Sequence, residues 1–281
     1  MRISALPIIA LLWLGGAPAA GAAGLDTAIP GHPGVTAFDL MKLVVTDLAL
    51  DGDGGAAGHT TVPFAHIQGK DQTGAPPETI NLDGSKLDLM PIPGDPSRIL
   101  LLADLGPKDG FVADVQALAL IALAPTPRLL DVVEVGMDRV TVFGQKAKPL
   151  MLAPRVPLIL IESGHNDSDQ DFTTIEMMFI RGDRFQWIGD FTTLDEEVCD
   201  YKRLEPWYVS ALPDVGPYPA LHVSVVERVT LTGGNGCGDR TAPRPRVTSY
   251  QANYRWDARA QRFLTPSTEM HRLAKENENA L

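Results

Sequence analysis

Apolar positions in this chain fall mostly into short aliphatic runs bounded by Gly, Pro, Asn and Asp. Runs of this length and composition read as strands, since an amphipathic helix would show a longer stripe of period 3.6. They predict strands over 98–105, 115–124, 128–135, 156–162, 172–180, 184–193, 220–232, 247–257 and 261–264. Gly182-Asp183 separates two of these runs as a tight hairpin turn. The runs recur as an apolar strand, a polar loop, a second strand, a turn and a third strand. This predicts an all-β fold of consecutive three-stranded antiparallel meanders, propeller-like in arrangement, with a β-sandwich as the alternative.

The remaining segments carry weaker patterns. Residues 42–50 and 60–68 form a poorer fourth unit, in which Pro63 marks an edge or a bend. Thr36-Ala37-Phe38-Asp39 has the form of a capping box, and Ala37, Leu40, Met41, Val44 and Leu48 share one helical stripe. The β-branched Val44, Val45 and Thr46 follow, so a helical turn giving way to a strand near Lys42 is expected. The Gly- and Pro-rich stretch 69–96 reads as a long connection with one short strand. Thr265-Pro266 is a helix start, after which Met270, Leu273 and Ala274 would share an apolar face.

The amino terminus has a different pattern. Arg2 precedes an apolar run over 3–14, and small residues fill 15–23, with Ala19 and Ala22 as cleavage points. That order describes a secretory signal peptide. Twelve residues are too few for a spanning helix, which needs about 20. The expected organisation is a signal peptide over 1–22, a flexible segment over 23–35, a single all-β domain over 36–265 and a polar C-terminal tail over 266–281. The location that follows is periplasmic or secreted, with no membrane span in the mature chain.

Charge narrows the partners. The formal net charge is -11 with no basic run to offset it, which disfavours nucleic acid as a ligand. The chain has two cysteines, Cys199 and Cys237. In an oxidising compartment they are expected to form one disulfide, worth roughly 4 kcal/mol in the loop-entropy account.

Candidate chemistry concentrates in the polar loop 162–171. Asp167, Asp169 and Asp171 alternate there as calcium ligands often do, although the full EF-hand pattern is absent, with Phe172 and Met178 at the glycine and glutamate positions. The plain reading is a solvated hairpin loop and no cofactor, with calcium as the alternative. Ser163-Gly164-His165 invites a hydrolase reading, but Ile161 stands where a nucleophile elbow needs glycine. Asp51-Gly52-Asp53 begins like a calcium loop and lacks the later ligands. None of the six histidines falls in a metal-binding spacing. Tyr201, Trp207 and Tyr208, with Tyr218, crowd a stretch after Cys199. They are either plugs for the end of the core or ligand-facing aromatics for a glycan or protein partner.

The stretches 128–136 and 161–199, the latter with Ser163-Gly164-His165-Asn166 and Phe191-Thr192-Thr193, resemble segments of uncharacterised secreted bacterial β-rich proteins. The likeness covers the middle third of the chain, implies an exported bacterial protein and carries no activity with it. The expected function is a non-catalytic exported binding or scaffold protein. A secreted hydrolase centred on the 162–171 loop, calcium-dependent if that loop takes the ion, is the alternative.

Overall fold

The computed structural model describes residues 21–22, 24–52, 54–69, 77–107, 113–144, 149–167, 169–198, 200–233 and 243–278. Cys199 and Cys237 lie outside the described residues, as does the leader except for Gly21–Ala22. No helix among the described residues is long and apolar enough to cross a membrane.

In chain order the elements are β1 (Gly21–Ala22), α1 (Ala37–Met41), β2 (Ala49–Leu50), β3 (Ala56–Gly58), β4 (Ile80–Leu82), β5 (Leu87–Ile92), β6 (Asp95–Pro107), β7 (Asp114–Ala122) and β8 (Arg128–Val135). There follow β9 (Val140–Phe143), β10 (Met151–Ala153), β11 (Val156–Asp167), β12 (Gln170–Arg181), β13 (Arg184–Val198), β14 (Tyr201–Leu204), β15 (Trp207–Leu212), β16 (Ala220–Leu231), β17 (Arg246–Asp257), β18 (Arg262–Leu264) and α2 (Glu269–Glu278). The fold is all-β and its named strands pair antiparallel, as expected.

The strands form a five-stranded sheet in the order β1-β5-β6-β7-β8, a three-stranded sheet β2-β3-β4, and a ten-stranded sheet running from β10 through β18. In the large sheet β9 joins β10 at the β11 edge, and β15 pairs β16. The propeller-like arrangement is not shown: no closed sheet is found among the described residues. Instead the layers stack. Ile99, Leu101 and Ala103 of β6 face a core shared with α1 and the small sheet. Their neighbours Leu100 and Leu102 face a second core shared with Ile159 and Ile161 of β11 and Met178 and Ile180 of β12. The other faces of β11 and β12, through Leu158, Leu160, Ile175, Met177 and Phe179, meet β16, β17 and α2 in a third core. Stacking of this kind explains the unbroken apolar runs, because a strand covered on both faces has no polar side to show.

Several local expectations change. The Thr36 box forms: Asp39 donates to Thr36 Oγ1 at 3.3 Å and Thr36 donates to Asp39 Oδ2 at 2.9 Å. No strand follows at Lys42, however. Val44 is buried in a turn and Val45 in an isolated bridge to Thr61, both packed in the first core. The 24–35 stretch, expected to be flexible, places Leu25 and Ile29 in the first core. The 69–96 connection holds β4 and β5, and Pro91 sits in β5 opposite Ile99 of β6, beyond the short pairing with β1. The polar tail carries α2, which buries Met270, Leu273 and Asn277.

Candidate functional site

The loop expected over 162–171 is a continuous β-ladder. His165 pairs with Phe172, Asn166 with Asp171 and Asp167 with Gln170, so β11 and β12 run to the hairpin tip. Main-chain pairing needs no apolar side chain, and the polar arm continues a ladder that the buried half has already registered. Gly164 is demanded by this pairing. A Cβ there would stand 2.2 Å from the Phe172 carbonyl oxygen.

The tip of this arm leans on the β13–β14 turn, where Glu197 N–H donates to the Asp169 carbonyl at 3.0 Å. Between them lies a groove of about 530 Å³ lined by Asn166, Asp169, Gln170, Asp171, Asp195, Glu196, Glu197, Lys202 and Leu204. Five carboxylates therefore face one ammonium. That ammonium is engaged: Lys202 Nζ donates to Glu197 Oε2 at 2.8 Å, and the carboxylate holds the Lys202 pKa above its ordinary value. Glu196 is buried and receives Gln170 Nε2 and the Tyr201 hydroxyl, both at 3.0 Å. Asp171 receives Asn166 Nδ2 across the ladder.

The calcium candidates are thus partly assembled. Asp169 and Asp171 line the groove and are exposed. The side chain of Asp167 is outside the described part of the structure. No group of three or more His, Cys, Asp or Glu side chains converges as a metal shell among the described residues.

Ser163 lies away from the groove and is buried. Its Oγ receives the N–H groups of Met137 and Asp138, each at 2.9 Å, and the Thr141 hydroxyl at 3.1 Å. A hydroxyl so occupied tethers the turn after β8. Asp51, for its part, caps a plain turn by accepting Gly55 N–H at 3.0 Å.

The aromatic stretch separates into distinct roles. Tyr218 stacks within a cluster of Phe179, Trp256 and Phe263, at 5.2 Å from Phe179 and 5.0 Å from Trp256. Trp207 meets Phe191 edge-on at 5.6 Å and packs against the third core. Tyr201 leans into Glu196. Tyr208, 64% exposed, is the residue of the predicted ligand-facing set that points to solvent. Pairing with β16 explains the split: along β15 inner and outer positions alternate.

Two buried polar clusters were not expected from the sequence. In one, Arg203 and Glu205 of the β14–β15 corner meet Glu227 of β16 and Asn277 of α2. In the other, Glu176 of β12 lies fully buried between the two larger sheets. Gly136 N–H donates to its Oε2 at 2.8 Å, Gln68 Nε2 approaches Oε1 at 3.4 Å, and His66 Nε2 stands 3.6 Å from Oε1. Burial raises the Glu176 pKa to about 7, opposed by the Gly136 hydrogen bond and reinforced by the charge on Asp190, its cross-strand partner. The only hint in the sequence is a glutamate inside an aliphatic run, where a solvent-facing position was equally consistent with alternation.

Comparison with protein-family models, curated proteins and solved structures finds no match to this chain. The site is therefore read from its own geometry.

Proposed function

We propose that this chain is a non-catalytic exported binding or scaffold protein, and that its ligand-facing end is the acidic groove between the β11–β12 tip and the β13–β14 turn. The observation that carries this reading is the charge imbalance of a concave surface: five carboxylates against one lysine that already serves Glu197. Such a surface attracts cations, and it does so most strongly at low ionic strength. The ligand class that fits is an organic polyamine or an amine-bearing segment. Ammonium groups take scattered, solvated carboxylates well, whereas calcium asks for six to eight oxygens converging on one point. The occupied hydroxyl of Ser163 supports the absence of a hydrolytic role for this hairpin.

The test uses spermine as the probe. Isothermal titration at low salt should give saturable binding that weakens as salt is added. The double substitution Asp169→Asn with Asp171→Asn should weaken it about tenfold, equivalent to about 1.4 kcal/mol. Binding that is undetectable, or unaltered by the double substitution, overturns the reading. A calcium-dependent rise in Tm after chelation, without a spermine response, would move the site to the metal alternative.

A further inference from the structure

We propose that the solvent face of β15, β16 and β17 is a docking track for an anionic polysaccharide, a chain of uronate sugars laid along the strands. Strand register builds this face. Val223 and Val225 of β16 and Tyr250 and Ala252 of β17 turn into the third core. The residues that alternate with them therefore turn outward. Across the strands these fall in rows: Tyr208, Ser224 and Gln251 form one, and Ser210, His222 and Asn253 the next. Arg228, opposite Val247, closes one end of the face, and Arg255 of β17 closes the other. The interval from Val247 to Arg255 along β17 is about 27 Å at about 3.4 Å per residue.

Charge selects the occupant. Acidic residues outnumber basic ones by 35 to 24 in the chain, yet no Asp or Glu takes an outward position between the two arginines. Arg228 is exposed and has no ion-pair partner among the described residues. Arg255 stands 3.6 Å from Asp214, and its side chain stays 67% exposed. Leu204, the partner of Arg228 on β14, separates that arginine from the carboxylates of the acidic groove. A nucleic acid fits this face poorly. It carries a charge about every 1.7 Å of duplex, which two arginines in a chain of net charge -11 do not match. A uronate chain is sparser, with one carboxylate to each sugar.

Each group on the face suits such a chain. A guanidinium takes a carboxylate through two parallel hydrogen bonds. Tyr208, exposed at the flank, offers a ring on which the apolar side of a sugar can lie. The amides of Gln251 and Asn253 and the hydroxyls of Ser210 and Ser224 both donate and accept, as sugar hydroxyls require. Asn253 is already oriented. Its Oδ1 stands 2.9 Å from His222 Nδ1, which leaves its NH2 group to donate outward.

The experiment titrates the full chain at low salt with two probes, hexagalacturonate and hexamannuronate, by calorimetry. At least one should bind saturably. Its methyl ester, which keeps the sugars and loses the charges, should bind about tenfold more weakly. Arg228→Gln with Arg255→Gln should weaken the acid form about tenfold, and Tyr208→Ser about fivefold. Exposed side chains of this kind exchange with little effect on stability, and an unchanged Tm verifies the fold of each variant. Should the double variant lose its fold with the Asp214 contact, Arg228→Gln alone, which breaks no ion pair among the described residues, should still weaken binding about threefold. Failure of both probes to bind, an ester that binds as tightly as the acid, or an affinity unmoved by Tyr208→Ser and Arg228→Gln overturns the proposal.

Discussion

Replacing Arg203 by methionine tests a deeply buried charge network. Arg203 is 5% exposed, and the side chains of Glu205 and Glu227 are 0% exposed. Arg203 Nε donates to Glu205 Oε1 at 2.8 Å and stands 3.3 Å from Glu227 Oε1, while its Nη2 also reaches Asn277 Oδ1 of α2. Glu205 further accepts Leu194 N–H and Asn277 Nδ2, each at 2.9 Å, and Glu227 is gripped by Arg246 at 2.6 and 3.0 Å. Methionine keeps most of the stem's packing and removes the cation. Two buried carboxylates are then left with one arginine between them, a loss worth about 3–5 kcal/mol in measured cases of broken buried pairs. For a chain of this size that is a fall in Tm on the order of 10 °C. Burial holds the Glu205 pKa above its ordinary value, with the Arg203 charge as the chief opposing influence. Losing Arg203 raises it further, so the folded state binds the proton more tightly than the unfolded state does. The deficit of the variant is therefore smallest in acid and grows as pH rises. Urea unfolding of both proteins at pH 4.5 and 8 measures this, with Arg272→Met as the control. Arg272 bridges Glu269 and Glu276 on the surface at 46% exposure, where such pairs contribute about 0–1 kcal/mol. A deficit below about 1 kcal/mol at pH 8, or one equal to the Arg272 control, would refute the reasoning.

Other outcomes follow from single contacts. Lifting Glu176 from 4.5 to about 7 makes the folded state the tighter proton binder. Its stabilising share is complete below about pH 4.5 and is lost as pH rises through 7, an effect of about 3 kcal/mol. Unfolding free energies of wild type and Glu176→Gln should therefore diverge across that window, and parallel curves would disprove it. Gly164→Ala forces a Cβ to within 2.2 Å of the Phe172 carbonyl, which is backbone and cannot swing aside. A loss of about 1–3 kcal/mol in chemical denaturation is expected, and a neutral result would show that the hairpin arm is not held in this register. Phe179→Ala empties the ring cluster with Tyr218 and Phe263, at 5.2 and 5.6 Å, and should cost about 3–5 kcal/mol by calorimetry.

Legibility followed the depth of burial. The run 128–135 coincides with β8, and 220–232 and 247–257 fall within a residue of β16 and β17. In each of these the whole strand is marked by alternation or by unbroken apolarity. Strands that owe their existence to a neighbour were missed. β9 is held by the middle of β11, and β14 by the far end of β16. Asn166 and Asp171 were read as loop because their side chains meet water, although their backbones are paired. The candidate site shows the same division. Asp169 and Asp171 stood out as an acidic cluster. Asp195, Glu196 and Glu197 did not, since only the packing of the hairpin tip against the β13–β14 turn makes them one groove.

Taken alone, the order of apolar and polar residues determined that this chain builds antiparallel sheets, where most of the strands lie, and that its surface is acidic. Those properties depend on neighbours in sequence and on net composition, which are visible without a fold. Tertiary structure alone decided which sheets and helices stack on one another, because an aliphatic run specifies two covered faces but not what covers them. It also decided that Glu176 and Arg203 are interior charges, since burial depends on strands far apart in the chain meeting across a core.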